Sequence, residues 1–237
     1  MHYWNKDNFE GLKDIAENYS SQQEFLLFSR YCHFKERGLK KEALKNIEQY
    51  VSELKNKPKL QQNGIAEELC ELAFFNGHVH QLIPFPLQTT LHEILKQWVI
   101  DEPSNPKAYR WLGYISGNIE FYKTALELDP NDEISITRLI NQHLGDLDYQ
   151  THHLCEALFI GNIEDAKISI LECEKLIKRL TDKTVMTSYT EEVESYKDLI
   201  GTWQEYKALD VKDSFPDYCQ SRDKNFEFYS IVYYENK

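Results

Sequence analysis

Apolar residues recur at intervals of three and four along most of the chain, the spacing that gathers them on one face of an α-helix. Phe9, Leu12, Ala16 and Tyr19 form the first stripe, behind a cap at Asp7. Ser21 and Glu24 are spaced as a capping box ahead of Phe25, Phe28, Tyr31 and Cys32. Past Gly38, the stripe Ala43, Ile47, Tyr50, Leu54 predicts a helix, and Pro58 with Asn63-Gly64 predicts a loop. Ile65, Leu69, Leu72 and Phe75 follow, closed by a left-handed cap at Asn76-Gly77. Residues 78–86 read as irregular, because Pro84 and Pro86 lack N–H donors and clash inside a helix.

Leu87, Leu91, Ile94 and Trp98 resume the pattern, and Asn105-Pro106 supplies an N-cap and a first-turn proline. Residues 106–116 and 118–129 predict two short helices about Gly117, and Asp129-Pro130-Asn131-Asp132 breaks and recaps the chain. Ile136, Leu139, Ile140 and His143 then lead to a predicted turn at Gly145-Asp146-Leu147-Asp148, with Asp148 as the next N-cap. A helix over 148–160 would end at Gly161-Asn162. Ile163, Ala166, Ile170, Cys173, Ile177 and Leu180 make the cleanest stripe, and Ser188 with Glu191 opens a last long helix through Val193, Tyr196, Ile200 and Trp203. Eleven helices on short connections pack as antiparallel sequential neighbours. Residues 226–234 are aromatic and β-branched, which favours a strand. A lone strand must dock on the helices or pair with another chain; the alternative is a capping helix after Pro216.

Composition changes this picture little. Large apolar residues are too many for a disordered chain, at 41% hydrophobic and 13% aromatic. Nine Gly and seven Pro are few for an all-β protein. Charge narrows the partners. Residues 1–60 hold 11 Lys and Arg against 9 Asp and Glu, residues 61–180 hold 9 against 18, and residues 181–237 hold 7 against 12. The net charge of −12 repels phosphate backbones, which argues against nucleic acid; it suits a basic partner or serves solubility alone. Five widely spaced cysteines without a C-x-x-C pair fit reduced thiols in the cytoplasm. The first residues have neither the basic nor the apolar region of a signal peptide, and no apolar run is long enough to span a membrane.

Gly117 to Asp132, GNIEFYKTALELDPND, resembles the second helix and exit turn of a tetratricopeptide repeat. Tyr122, Ala125 and Pro130 stand at its large, small and proline positions, and Trp111-Leu112-Gly113 is similar to its first-helix signature. Related fragments start at Gly38 and Gly161. The stretch from Gly113 to Ala125 is about seven residues shorter than in a regular repeat. Asn118 replaces the usual small residue, and the pairing of helices after residue 132 has two solutions. Pairing from Gly38, Gly77 and Gly117 joins 133–144 to 148–160; the Gly161 fragment joins 148–160 to 163–181. The resemblance implies an all-α fold, an α-α superhelix of about five irregular hairpins over 1–210, with a non-repeat tail over 211–237. It also implies a concave surface lined by first-helix residues that holds a peptide or helix of another protein. At matching positions these are Lys107, Arg110 and Tyr114, with Phe28, Cys32 and Lys35 from the Gly38 hairpin. Lys107 and Arg110 suit a carboxylate, Arg110 in bidentate fashion, although Arg110 could equally pair with a surface acid such as Glu102.

Candidate chemistry is sparse. His152 with Cys155 or Glu156 has the spacing of metal ligands on one helix, yet a zinc site needs more. His78 and His80 could add to it only if the fold brings them close, and ordinary surface histidines explain the pattern without a metal. Phosphate-loop, nucleophile-elbow and zinc-protease patterns are missing. The leading expectation is a non-catalytic cytoplasmic adaptor or scaffold that binds a protein segment, with no cofactor and its oligomeric state left open. The second is an acidic immunity or inhibitor protein that neutralises a basic toxin. The third is an enzyme on a helical scaffold, using His152, Cys155 or the 78–86 loop.

Overall fold

The stripes read from the sequence become helices in a computed structural model that describes residues 6–209 and 212–228. The described residues are all-α, with eleven α-helices, two single 3-10 turns and no strand. By contacts the chain divides at Leu128/Asp129 into two units. The first holds α1 (Lys6–Tyr19), α2 (Leu26–Glu36), α3 (Lys40–Lys55), α4 (Lys59–Phe75), α5 (Phe85–Asp101), α6 (Pro106–Ser116) and α7 (Ile119–Leu128). The second holds α8 (Glu133–Thr151), α9 (Ile163–Ile177), α10 (Lys183–Ala208) and α11 (Phe215–Ser221).

In the first unit α1 packs on α2 and α2 on α3, around an aromatic core. Phe25, Phe28, Tyr31 and Tyr50 are all buried there, with Phe28 and Tyr50 ring centres 5.9 Å apart. Gly38, at φ +73°, makes the left-handed step between α2 and α3, where a side chain would strain the backbone. Gly117 repeats the device between α6 and α7, where Asn118 Oδ1 accepts from the backbone N–H of Glu120 at 3.0 Å. Asn105 caps α6 by accepting from the N–H of Lys107 at 3.1 Å. α5 contacts α3, α4 and α6, and α4 lies beside α6.

The stretch between α4 and α5 is irregular up to Pro84 and tightly held, but Phe85 and Pro86, expected to belong to it, form the first turn of α5, where a proline gives up no helix bond. Val79 and Leu82 are buried, the Gln81 N–H donates to Asn8 Oδ1 at 3.2 Å, and Tyr31 Oη donates to the Gln81 carbonyl at 2.5 Å. Gly11 permits this docking, because a β-carbon there would collide with Val79 Cγ2.

In the second unit α8 packs on α9 and α9 on α10. Arg179, just past α9, donates to the Pro130 carbonyl, and the Thr181 N–H donates to Glu133 Oε1 at 2.9 Å. These bonds tie the exit of α9 to the start of α8. α11 closes the unit, placing Phe215, Tyr218 and Cys219 against Leu154, Trp203 and Tyr206. Ser214 caps it by accepting from the Asp217 N–H at 3.3 Å.

Several boundaries differ from the sequence-based expectation. The predicted turn at Gly145–Asp148 is absent, since α8 runs through Gly145 to Thr151 and Asp148 is interior to it rather than its cap. The buried Leu144 and Leu147 flanking Gly145 hold the helix together. No separate helix covers 148–160, whose first four residues are the end of α8, and α8 pairs directly with α9. Asn63-Gly64 likewise lies inside α4, which starts at Lys59 behind Pro58. α4 does end at Asn76, but Gly77 does not adopt the left-handed conformation. Asn76 Nδ2 instead donates back to the Leu72 carbonyl at 2.8 Å. The box at Ser21 and Glu24 does not form: Gln22 precedes a 3-10 turn at Gln23–Phe25, and Glu24 pairs with Lys57 at 3.2 Å. α10 begins at Lys183 rather than near Ser188, because Asp182 accepts from the N–H groups of Thr184 and Val185. Residues 224–228 are not helical or stranded, and the rest of the predicted tail strand, 229–234, lies outside the described residues.

Candidate functional site

α4 and α6 run side by side in the same direction, and two contacts fix their register. Lys107 Nζ lies 2.8 Å from Glu67 Oε1, and two turns along each helix the ring of Tyr114 lies 5.9 Å from that of Phe74. Phe74 also meets Trp111 at 6.2 Å and Phe75 at 5.2 Å, in edge-on geometries. The Arg110 guanidinium carbon sits 4.8 Å from the centre of the Trp111 ring. Trp111 is fully buried, Phe74 and Tyr114 are half-buried, and Phe75 is 65% exposed. The result is a strip in which a buried indole supports surface aromatic rings, with an ion pair at one end. Aromatic rings and arginine are enriched in protein interfaces because they bury much area for little lost freedom.

Of the residues expected to line a binding surface, Lys107 and Tyr114 meet α4, while Arg110 lies over the ring of Trp111 on its own helix. The Glu102 carboxylate, the acid suggested for Arg110, accepts from Asn105 Nδ2 at 2.7 Å. That bond, then one from Trp98, holds Glu102 below its ordinary pKa. Phe28 and Cys32 must be corrected: both are fully buried, inside the core that joins α1, α2 and α3, so neither offers surface to a partner. Lys35, on the last turn of α2, is half-exposed.

Sequence reasoning missed Glu67, Phe74 and Phe75. No local signal pointed to them, because the pairing of α4 with α6 is set by packing between hairpins.

The suggested metal ligands do not share a helical face. α8 ends at Thr151, and Leu154–Glu156 is a separate 3-10 turn. His152 Nδ1 lies 2.7 Å from the Tyr149 carbonyl, and His153 meets Glu156, at 2.7 Å from Oε1. Cys155 is partly exposed. Among the described residues no three His, Cys, Asp or Glu side chains are grouped to hold a metal ion.

The other thiols are packing groups. Burial pushes Cys32 and Cys70 far above the ordinary thiol value, and Cys173 up to about 12, where nearby carboxylates led by Glu192 add to it. Among the described residues no helix is long and apolar enough to cross a membrane. No protein-family model, no curated protein and no solved structure matches the chain.

Proposed function

We propose that the chain is a non-catalytic, tetratricopeptide-like interaction module of the cytoplasm, and that the face shared by α4 and α6 holds a segment of another protein. The observation that carries the reading is the aromatic strip Phe74, Phe75 and Tyr114, braced by Trp111 and flanked by the Lys107–Glu67 pair. The repeat-like pairing supports it. Gly113 and Ala125 let α6 and α7 approach, and Tyr122 fills the space between them. Stacked hairpins of this kind leave first-helix side chains for a ligand. Capture from native extract tests this with Phe75→Ala/Tyr114→Ala beside wild type and Ile168→Ser, on the surface of α9. Proteins held by wild type and Ile168→Ser but lost by the double variant support the site. Equal capture by all three removes it.

A second reading, an acidic protein that neutralises a basic partner, is favoured by the charge of residues 129–237, which hold 12 Lys and Arg against 22 Asp and Glu. Association by that route is fast and falls steeply with salt. Partner capture that is indifferent to ionic strength rules it out.

A further inference from the structure

We propose that the groove between α1 and α2 is a second docking surface and that its occupant is an acidic helical segment of another protein. The groove encloses about 590 Å³. Its floor is made of small side chains: Ala16 and Ser29 are both buried, and Ser29 Oγ donates to the Ala16 carbonyl at 2.7 Å, drawing the two helices together. Leu26, half-buried, lines it towards the start of α2.

Three basic side chains face two acids at the rim, a small positive excess although the chain carries −12. Lys13 stands on the α1 side, and Arg30, His33 and Arg37 stand on the α2 side, all four exposed. The acids of the groove are Glu17 and Glu36. Glu17 reaches Lys13 only at 3.9 Å. Arg37 Nη1 faces His33 Nε2 at 3.5 Å, and among the described residues Arg30 has no ion pair. A helix C-terminus attracts cations by its dipole, which accounts for Arg37. It does not account for Arg30 in the middle of α2, nor for Lys13 on α1.

Charge complementarity selects the occupant. A narrow floor of Ala and Ser takes small or aliphatic side chains, and the rim takes carboxylates, with two arginines able to bind them in bidentate fashion. An amphipathic helix with acidic flanks offers both. This site is separate from the α4/α6 face, and loss of either leaves the other intact.

The probe is a fluorescent helical peptide of about 14 residues, long enough to span α2 at 1.5 Å per residue. It carries Ala and Leu on one face and Glu on both flanks, with a Lys-flanked twin as control. The wild-type protein is expected to bind the Glu peptide and not the Lys peptide. Raising NaCl from about 50 to about 300 mM should weaken binding about tenfold. Arg30→Glu/Arg37→Glu should lose at least about tenfold, and Arg30→Ala alone about threefold, with circular dichroism showing both variants folded. No binding of the Glu peptide, or equal binding by the charge-reversed protein, overturns the proposal. So does binding of anionic phospholipid vesicles without binding of the peptide, or salt-sensitive self-association of the protein that the double variant abolishes.

Discussion

The ring of Tyr122 rests on the backbone of Gly113: a β-carbon at residue 113 would stand 3.1 Å from Cε2 and 3.2 Å from Cδ2 and Cζ. Gly113 is inside α6, where alanine would be the better helix former by about 1 kcal/mol. The glycine stays because α7 brings a large, buried ring against it. Gly113→Ala is therefore expected to destabilise the protein, because forcing an extra methyl group against a fixed ring costs about 1–3 kcal/mol and outweighs the helix gain. Pairing it with Tyr122→Leu should return part of that loss. A double-mutant cycle in urea reads the coupling. Strict additivity would show that the two residues do not constrain each other.

Lys107 and Glu67 are half-exposed, so their pair contributes no more than about 1 kcal/mol. Lys107→Glu should lower thermal stability slightly, and the exchange Lys107→Glu/Glu67→Lys should restore it. A large loss in the single variant, not recovered by the exchange, would mean that Lys107 supports the fold in another way.

Phe215 is fully buried, with ring centres 5.0 Å from Trp203 and 5.3 Å from Tyr206. Truncating such a residue leaves a cavity, so Phe215→Ala should cost about 3–5 kcal/mol. Indole fluorescence should report the change directly, because Trp203 loses its neighbour. A near-neutral stability change would contradict the packing of α11 on α10.

Buried thiols and Tyr19 set an alkaline limit. Burial, with a lesser contribution from Asp198, pushes Cys219 up to about 11 from its ordinary 9.0, and burial with Glu192 takes Cys173 to about 12. Burial and the nearby Glu68 push Tyr19 up to about 12 from its ordinary 10.0. Each group is neutral in the folded state and ionises earlier in the unfolded chain, so its contribution is complete below the ordinary value and is lost as pH rises towards the folded one. Stability should fall between about pH 9 and 12, and Cys173→Ser/Cys219→Ser should soften the early part of that fall. At pH 8, the partly exposed Cys155 should react first with a thiol reagent and the four buried cysteines only on unfolding. Five fast thiols would refute the burial.

The parts of the fold legible in the sequence are those set by local chemistry. The turns at Gly38 and Gly117 each need a positive φ and have it, and Asn105 caps the helix it precedes; Gly161 also has a positive φ, but Asn162, read as the end of a helix, is the cap of α9. Glycine misled at positions 64 and 145, where it sits inside a helix at a cost of about 1 kcal/mol that burial of neighbours such as Ile65 and Leu147 offsets. The expected number of helices and the observed one agree because two differences offset each other: the two pieces predicted around Gly145 are one helix, and α11 is a helix at Pro216, the alternative to a strand in the tail. The docking of Val79 and Leu82 was invisible because nothing local to an irregular segment says which helix it will meet. For the same reason, the sequence suggested Lys107, Arg110 and Tyr114 from their place in one hairpin but could not supply Glu67, Phe74 and Phe75 from the neighbouring one.

Replacing Phe75 by a photo-crosslinking phenylalanine, in the native cell or extract, tests the binding face most directly. Illumination should give a discrete adduct with another protein at position 75. That adduct should weaken when Tyr114→Ala is added, and the same probe at Leu158, equally on the surface, should give none. No adduct from position 75, or the same adducts from both positions, would contradict a binding face on α4 and α6.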